Sequence, residues 1–436
     1  MQKLSKPRTS ASKLDQKDGP DTLSALCQEY FQVGMNTAST DTQLPSQEST
    51  SVPTETINLK EFITIEKGTP DMLLYDMDLL EYQDETLICT IHNNRILLYM
   101  LDPNEIPMKI GDYSLKVINT KEPTLPRQTD VLYVCRFGFL FKNENSSECE
   151  IVIITAGRDG FAYIYNLETE DMTYLAGHVH EIYDICLSPW RYDSTLKNLM
   201  LSCSRDGSVS LWNYKTRVQI ASYKPGKTPI LDSICVDWHT SGREFLQSCI
   251  DGSVSVWELG DVDNLIKLSQ SWTKDTNEFP RKDFLKYKYR TYDMHENYVD
   301  CVAYLGDMIV SKDVDGKLAI WINSGIENEI ICFSRIRNKT YECVWSLRMQ
   351  VSMELGTIVY GNDMGTIFLL KMENDKAPKT ARYKFETGMQ KVIRKVMLTK
   401  NGTMLFALAD GGRLWYYKLD EKTQSAIKTE KWDLKS

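Results

Sequence analysis

A chain of 436 residues, 42% apolar and 25% charged, can bury a large core and has the balance of a soluble globular protein. Its net charge of −9 argues against nucleic-acid binding as the main role, since duplex binding relies on Lys and Arg neutralising phosphates. No apolar run approaches the ~20 residues that span a bilayer and no signal-like segment opens the chain, which predicts an intracellular protein with no membrane role.

Residues 1–56 are rich in Ser, Thr, Gln, Asp and Pro and poor in apolar side chains, so a disordered tail is expected. The short apolar island Leu23–Phe31 inside it is a candidate for folding on a partner. From Ile57 the pattern alternates. Phe62 to Ile65 reads as a lone strand, of the kind that closes a propeller by pairing with its last blade and so removes open edges.

The most regular stretch runs from Gly177-His178 to Trp212, through Ile182–Leu187 and Leu199–Cys203 to Asp206-Gly207-Ser208-Val209-Ser210-Leu211-Trp212. A Gly-His opening that closes on Asp-Gly-x-Val-x-Leu-Trp is the signature of one WD-repeat blade. Similar endings finish at Tyr99, Tyr165, Trp212, Trp257, Trp321, Leu370 and Tyr417, so the fold class is all-β, a seven-bladed WD-repeat β-propeller over residues 57–420. Two intervals, after Tyr99 and after Trp257, exceed the usual repeat length and predict surface-loop insertions. Residues 421–436 read as a charged, frayed tail.

Asp206, Asp251 and Asp315 each precede Gly at repeat spacing and read as turn residues; His178 and His295 open blades and read as structural. The eleven cysteines include no Cys-x-x-Cys pair and sit singly in apolar runs, as at Cys89, Cys186 and Cys301, so buried reduced thiols are expected, with no metal site. The basic run Arg281-Lys282 with Lys286, Lys288 and Arg290 reads as a solvated loop. There is no hydrolase elbow, phosphate loop or His-Glu-x-x-His motif, so neither an enzyme nor a cofactor is predicted.

The inner strand of each blade begins apolar-x-x-apolar, and its second position falls at the mouth of the central channel. That position is Tyr75, Tyr133, Tyr183, Asp232, Asp300, Trp345 and Arg394 in blades one to seven. In a ring closed in sequence order, Trp345, Arg394, Tyr75, Tyr133 and Tyr183 form one arc. Such aromatics can be simple channel packing. Alternatively they can converge on a quaternary ammonium, at about 0.5–1 kcal/mol per exposed cation–π contact and about 2 or more when desolvated.

The run His295-Glu296-Asn297-Tyr298-Val299-Asp300-Cys301 through Lys312 closely resembles the fifth blade of the extra sex combs / embryonic ectoderm development family, the WD-repeat subunit of Polycomb repressive complex two. Phe279-Pro280, Trp345-x-x-Arg348, Ile393-Arg394 and Asn93-Asn94-Arg95 agree in place, and the resemblance covers about residues 57–420. It implies a nuclear, non-catalytic scaffold that binds a SET-domain histone methyltransferase subunit and other Polycomb subunits, and that reads a trimethylated histone tail peptide. It also implies a methyl-lysine cage of Tyr75, Tyr133 and Trp345, flanked by Arg348, Arg394, Tyr183 and Asp300. One departure is Ser346, where the family carries Tyr; Tyr183, a smaller polar residue in the family, is the candidate substitute. Two other classes stay open: a generic scaffold, such as a ubiquitin-ligase substrate receptor without methyl-lysine affinity, and a propeller enzyme using Asp232 and Asp300.

Overall fold

Antiparallel four-stranded units follow one another along the chain, and each packs its two faces on its neighbours. The computed structural model describes residues 54–428 except 59–62, 68–73, 83–84, 102–106, 115–130, 144, 227–230, 274–277, 326–328, 339–343 and 374–375. The Leu23–Phe31 island lies outside the described residues.

Seven blades result. Their inner strands are Leu74–Tyr82, Leu132–Phe141, Ile182–Leu187, Ser233–Trp238, Val299–Leu305, Gln350–Ser352 and Ile393–Leu398. The expected closing strand is present as Ile63–Lys67, which pairs antiparallel with Arg413–Lys418 and completes blade seven. Two blades carry a fifth strand added in parallel at the outer edge. Glu55–Asn58 extends blade six beside Tyr383–Glu386, so ordered structure begins inside the expected tail, and Lys282–Phe284 extends blade three beside Val218–Tyr223.

The core is a ring of inter-blade clusters. In blade three Leu199, Leu201 and Cys203 face blade four, while Met200 and Trp212 face blade two. Both faces of the strand are therefore buried, which is why Leu199–Leu201 is continuously apolar while still alternating in direction. Met397, Phe406 and Leu408 of blade seven pack with Leu74, Met77 and Tyr99 of blade one, closing the ring.

Side-chain hydrogen bonds brace the regular blades. Trp212 Nε1 donates to Ser202 Oγ at 2.8 Å, Ser202 lies 2.8 Å from His178 Nε2, and His178 Nδ1 is 2.9 Å from Asp206 Oδ2. His295, Ser311, Asp313 and Trp321 repeat the network in blade five.

Two expectations are corrected. The insertion after Trp257 is not simply a loop: Asp263–Gln270 is a helix that buries Ile266 against blade three, with Ser269 Oγ accepting from Asn213 Nδ2 at 3.0 Å. The chain after Asp420 does not fray at once. Asp420 caps a helix, Glu421–Lys428, by accepting from the Thr423 N–H at 2.7 Å, and Ile427 is buried in the blade six–seven core.

Candidate functional site

The inner strands share a local irregularity that builds the site. The register slips at Tyr75-Asp76, Tyr133, Tyr183, Ile234, Asp300 and Arg394, one bulge near the start of each inner strand except in blade six. A bulge leaves a residue unpaired in the ladder and re-aims its side chain. In blades one, two and three that residue is tyrosine. In blade four it is Ile234, not the expected Asp232, which lies before the strand with Oδ2 3.5 Å from the Tyr183 hydroxyl.

Blade six supplies its aromatic differently. Its inner strand is only Gln350–Ser352, and Trp345 sits in a bend ahead of it. Between them Ser346 adopts a left-handed backbone, φ 65°, and is buried with its hydroxyl unpartnered. Ser346 therefore contributes no wall at the rim; it turns the chain that carries Trp345.

The four half-buried rings meet. Ring centroids lie 5.5 Å apart for Tyr75 and Tyr133, 6.3 Å for Tyr75 and Trp345, and 5.6 Å for Tyr133 and Trp345. Tyr183 stands 5.8 Å from Tyr133 and 5.3 Å from Trp345. Most of these contacts are edge-to-face or tilted, the arrangement favoured by the ring quadrupole. At these separations the rings touch one another, and their faces meet at corners instead of opposing each other across a gap.

Arg394 flanks the cluster. Its guanidinium carbon is 5.9 Å from the Tyr75 centroid, it donates to the Trp345 carbonyl at 2.8 Å, and Asp410 holds it through two bonds of 2.7 and 2.9 Å. Burial raises the Tyr75 hydroxyl above its ordinary pKa, opposed by Arg394, and burial with Asp232 raises that of Tyr183. Both phenols thus stay neutral under physiological conditions.

Arg348 and Asp300 lie elsewhere than beside the rings. Asp300 is buried, paired with Lys312 at 2.6 Å and accepting the Leu347 N–H, so it is committed inside the fold. Arg348 is buried beneath the cluster, 2.9 Å from Asp184 and donating to the Tyr183 carbonyl at 2.5 Å. It ties blade six to blade three across the channel.

That tie belongs to a network that sequence reasoning missed. Arg136 bridges Asp76 and Asp184, and Lys395 reaches Asp76 at 2.7 Å. Burial alone would raise the Asp76 carboxyl, but Arg136 and Lys395, with Arg348 beyond, hold it at about 2. The available signal was position: Asp76, Asp184 and Lys395 each directly follow a rim residue. The resulting charged layer links blades one, two, three, six and seven.

The family model described as WD domain, G-beta repeat matches residues 170–213, the regular third blade. The Polycomb group protein FIE1 of Oryza sativa subsp. japonica is 26% identical over 273 residues, 61% of this chain and 56% of that protein, so the chain spans little more than half the length of this relative. The Polycomb protein esc of Drosophila virilis is 23% identical over 353 residues, covering 77% of this chain and 78% of that one. Among solved structures, a chain of the Chaetomium thermophilum Polycomb repressive complex 2 crystal structure shares the fold with a TM-score of 0.64 at 12% identity, over 83% of this chain and 98% of that one. A chain from the same organism's complex with H3K27me3 and H3K27M has a TM-score of 0.62 at 12% identity, over 80% of this chain and 94% of that one.

Proposed function

Given that the chain belongs to the esc and FIE family of Polycomb WD-repeat proteins, we propose that it is a non-catalytic scaffold and methyl-lysine reader of a nuclear Polycomb-type histone methyltransferase complex. The observation that carries this reading is the convergence of Tyr75, Tyr133, Tyr183 and Trp345 at one channel mouth. A trimethyllysine head gains cation–π attraction from such rings, whereas an unmodified ammonium is held back by its stronger hydration. Tyr183 stands in for the wall that Ser346 does not supply, and Arg394 holds Trp345 through its carbonyl. A SET-domain methyltransferase and other Polycomb subunits are the partners of this reading.

Titration of a trimethyl-lysine histone peptide into the full chain tests it. Binding is expected for the wild type, none for the unmodified peptide, and a loss on the order of tenfold or more for Tyr133→Ala and for Tyr183→Ala, about 1–2 kcal/mol each. Absence of binding by the wild type, or equal binding by all three proteins, sinks the reader. The contact distances favour one rival, a scaffold whose rings only plug the channel. That rival predicts no difference between methylated and unmodified peptide.

A further inference from the structure

On the side of the charged layer away from the aromatic rings lies a cavity of about 310 Å³. Asp184, Arg348 and Lys395 form its floor, and Tyr304 and Asp237 stand in its wall between blades four and five. None of the four rim aromatics lines it.

The floor and the wall differ in how their charges are answered. Each floor cation has a carboxylate: Arg136 and Lys395 share Asp76, and Arg136 and Arg348 share Asp184. Asp78, buried beside Arg136 and Lys395, is a third carboxylate facing the three cations, so the floor carries no excess of positive charge. Among the described residues Asp237 in the wall has no cation partner. Its Oδ2 accepts the Tyr304 N–H at 2.7 Å, its Oδ1 lies 3.5 Å from the Cys186 thiol, and the carboxylate also takes the Trp238 backbone N–H. Burial pushes the Asp237 carboxyl up to about 6, despite those bonds. Tyr304 is buried in the same wall, and among the described residues its hydroxyl has no hydrogen-bond partner. Burial, with the acids Glu244, Asp237 and Asp307, raises the Tyr304 phenol well above its ordinary value, so it stays neutral.

Two acceptors that lack a full donor set and face one small cavity call for a ligand with several N–H donors and a positive charge. A guanidinium suits them better than an ammonium: its donors are spread in a plane, and it is more weakly hydrated and so less costly to bury. The volume is at the low end for ligand pockets and suits a single side chain. We propose that this cavity receives an arginine side chain of a partner polypeptide, with Asp237 as its counter-ion and the Tyr304 hydroxyl as a second acceptor. The site is separate from the aromatic rim and does not depend on methyl-lysine reading.

The probe is N-acetyl-arginine amide, with its neutral isostere N-acetyl-citrulline amide as control, followed by thermal melting and saturation-transfer NMR on the full chain. At neutral pH the arginine amide should raise the melting temperature of the wild type in proportion to concentration, and the citrulline amide should not. Asp237→Asn, which keeps the shape and one acceptor, should weaken binding roughly tenfold or more, and Tyr304→Phe by a smaller factor. In the wild type the effect should fade below pH about 6, as Asp237 takes up a proton. Equal stabilisation by citrulline amide, an undiminished response in Asp237→Asn, or no response of the wild type to arginine amide would overturn the assignment. If Asp237→Asn does not fold, the pH profile and Tyr304→Phe decide instead.

Discussion

Blades three and six are built from the same four-strand plan and put it to different ends. Blade three has a six-residue inner strand, Ile182–Leu187, and a closed chain of hydrogen bonds from Trp212 through Ser202 and His178 to Asp206. Blade six has a three-residue inner strand, Tyr360 where that chain would place Ser202, and a left-handed serine. Its outer edge is completed by Glu55–Asn58 from far away in the chain. What blade six gives up in regularity it gains in placing Trp345 over the channel, within 6.3 Å of all three tyrosines. Regular blades hold the ring together, and the irregular one carries the ring's most distinctive surface group.

The largest test of that contrast removes a bracing carboxylate. Asp206 is buried; burial opposes its ionisation, but the hydrogen bonds of His178 and Ser208 keep its pKa well below the ordinary range. Asp206→Ala takes the acceptor from the buried His178 ring and from the Val179 and Ser208 N–H groups and should cost about 3 kcal/mol in equilibrium denaturation. At the matching turn of blade six, Asn362 accepts only the backbone N–H groups of Met364 and Thr366, so Asn362→Ala should cost about 1 kcal/mol. Equal losses at the two sites would show that the bracing network is not what separates the blades.

A smaller effect of opposite sign is expected at Ser346. A non-glycine residue in the left-handed region costs about 1–2 kcal/mol, and a buried unpaired hydroxyl adds to that. Ser346→Gly should therefore stabilise the protein, by about 1 kcal/mol once the extra freedom glycine gives the unfolded chain is deducted. Destabilisation in the same denaturation experiment would mean that Ser346 makes a contact essential to the bend before blade six.

The two blades also differed in how legible they were. Blade three could be read from one line of sequence because its signals are local: a turn pair, a strand alternation and a Trp at fixed spacing. Tyr75, Tyr133 and Tyr183 were legible for a related reason, since each marks the bulge at the start of an inner strand. Trp345 was read as the second residue of the blade-six inner strand, but it precedes that strand instead of belonging to it. Blade four misled by two residues: the second inner-strand position assigned to Asp232 is held by Ile234, where the register shifts. The charged layer of Asp76, Arg136, Asp184, Arg348 and Lys395 was not seen, because its members lie up to 319 residues apart and meet only once the ring has closed. The helix Asp263–Gln270 was hidden in the same way, its buried face being set by blade three.

The smallest effect lies in the channel, where Arg348 of blade six answers Asp184 of blade three but, among the described residues, no cation answers Asp237 of blade four. In the unfolded chain an aspartate titrates near 3.9, roughly two units below the folded value of about 6. The folded state therefore holds this proton more tightly. Its contribution to stability is fully present below pH about 4 and is lost as the pH rises through about 6. Asn cannot ionise and avoids that loss. Asp237→Asn should accordingly raise the urea midpoint modestly at neutral pH, and the gain should shrink to nothing in acid. The same substitution at Asp184, whose carboxylate faces Arg136 and Arg348, should lower the midpoint at neutral pH. A matching sign at the two positions would mean that the floor cations reach Asp237 as well, and that the wall of the cavity is not the uncompensated side of the channel.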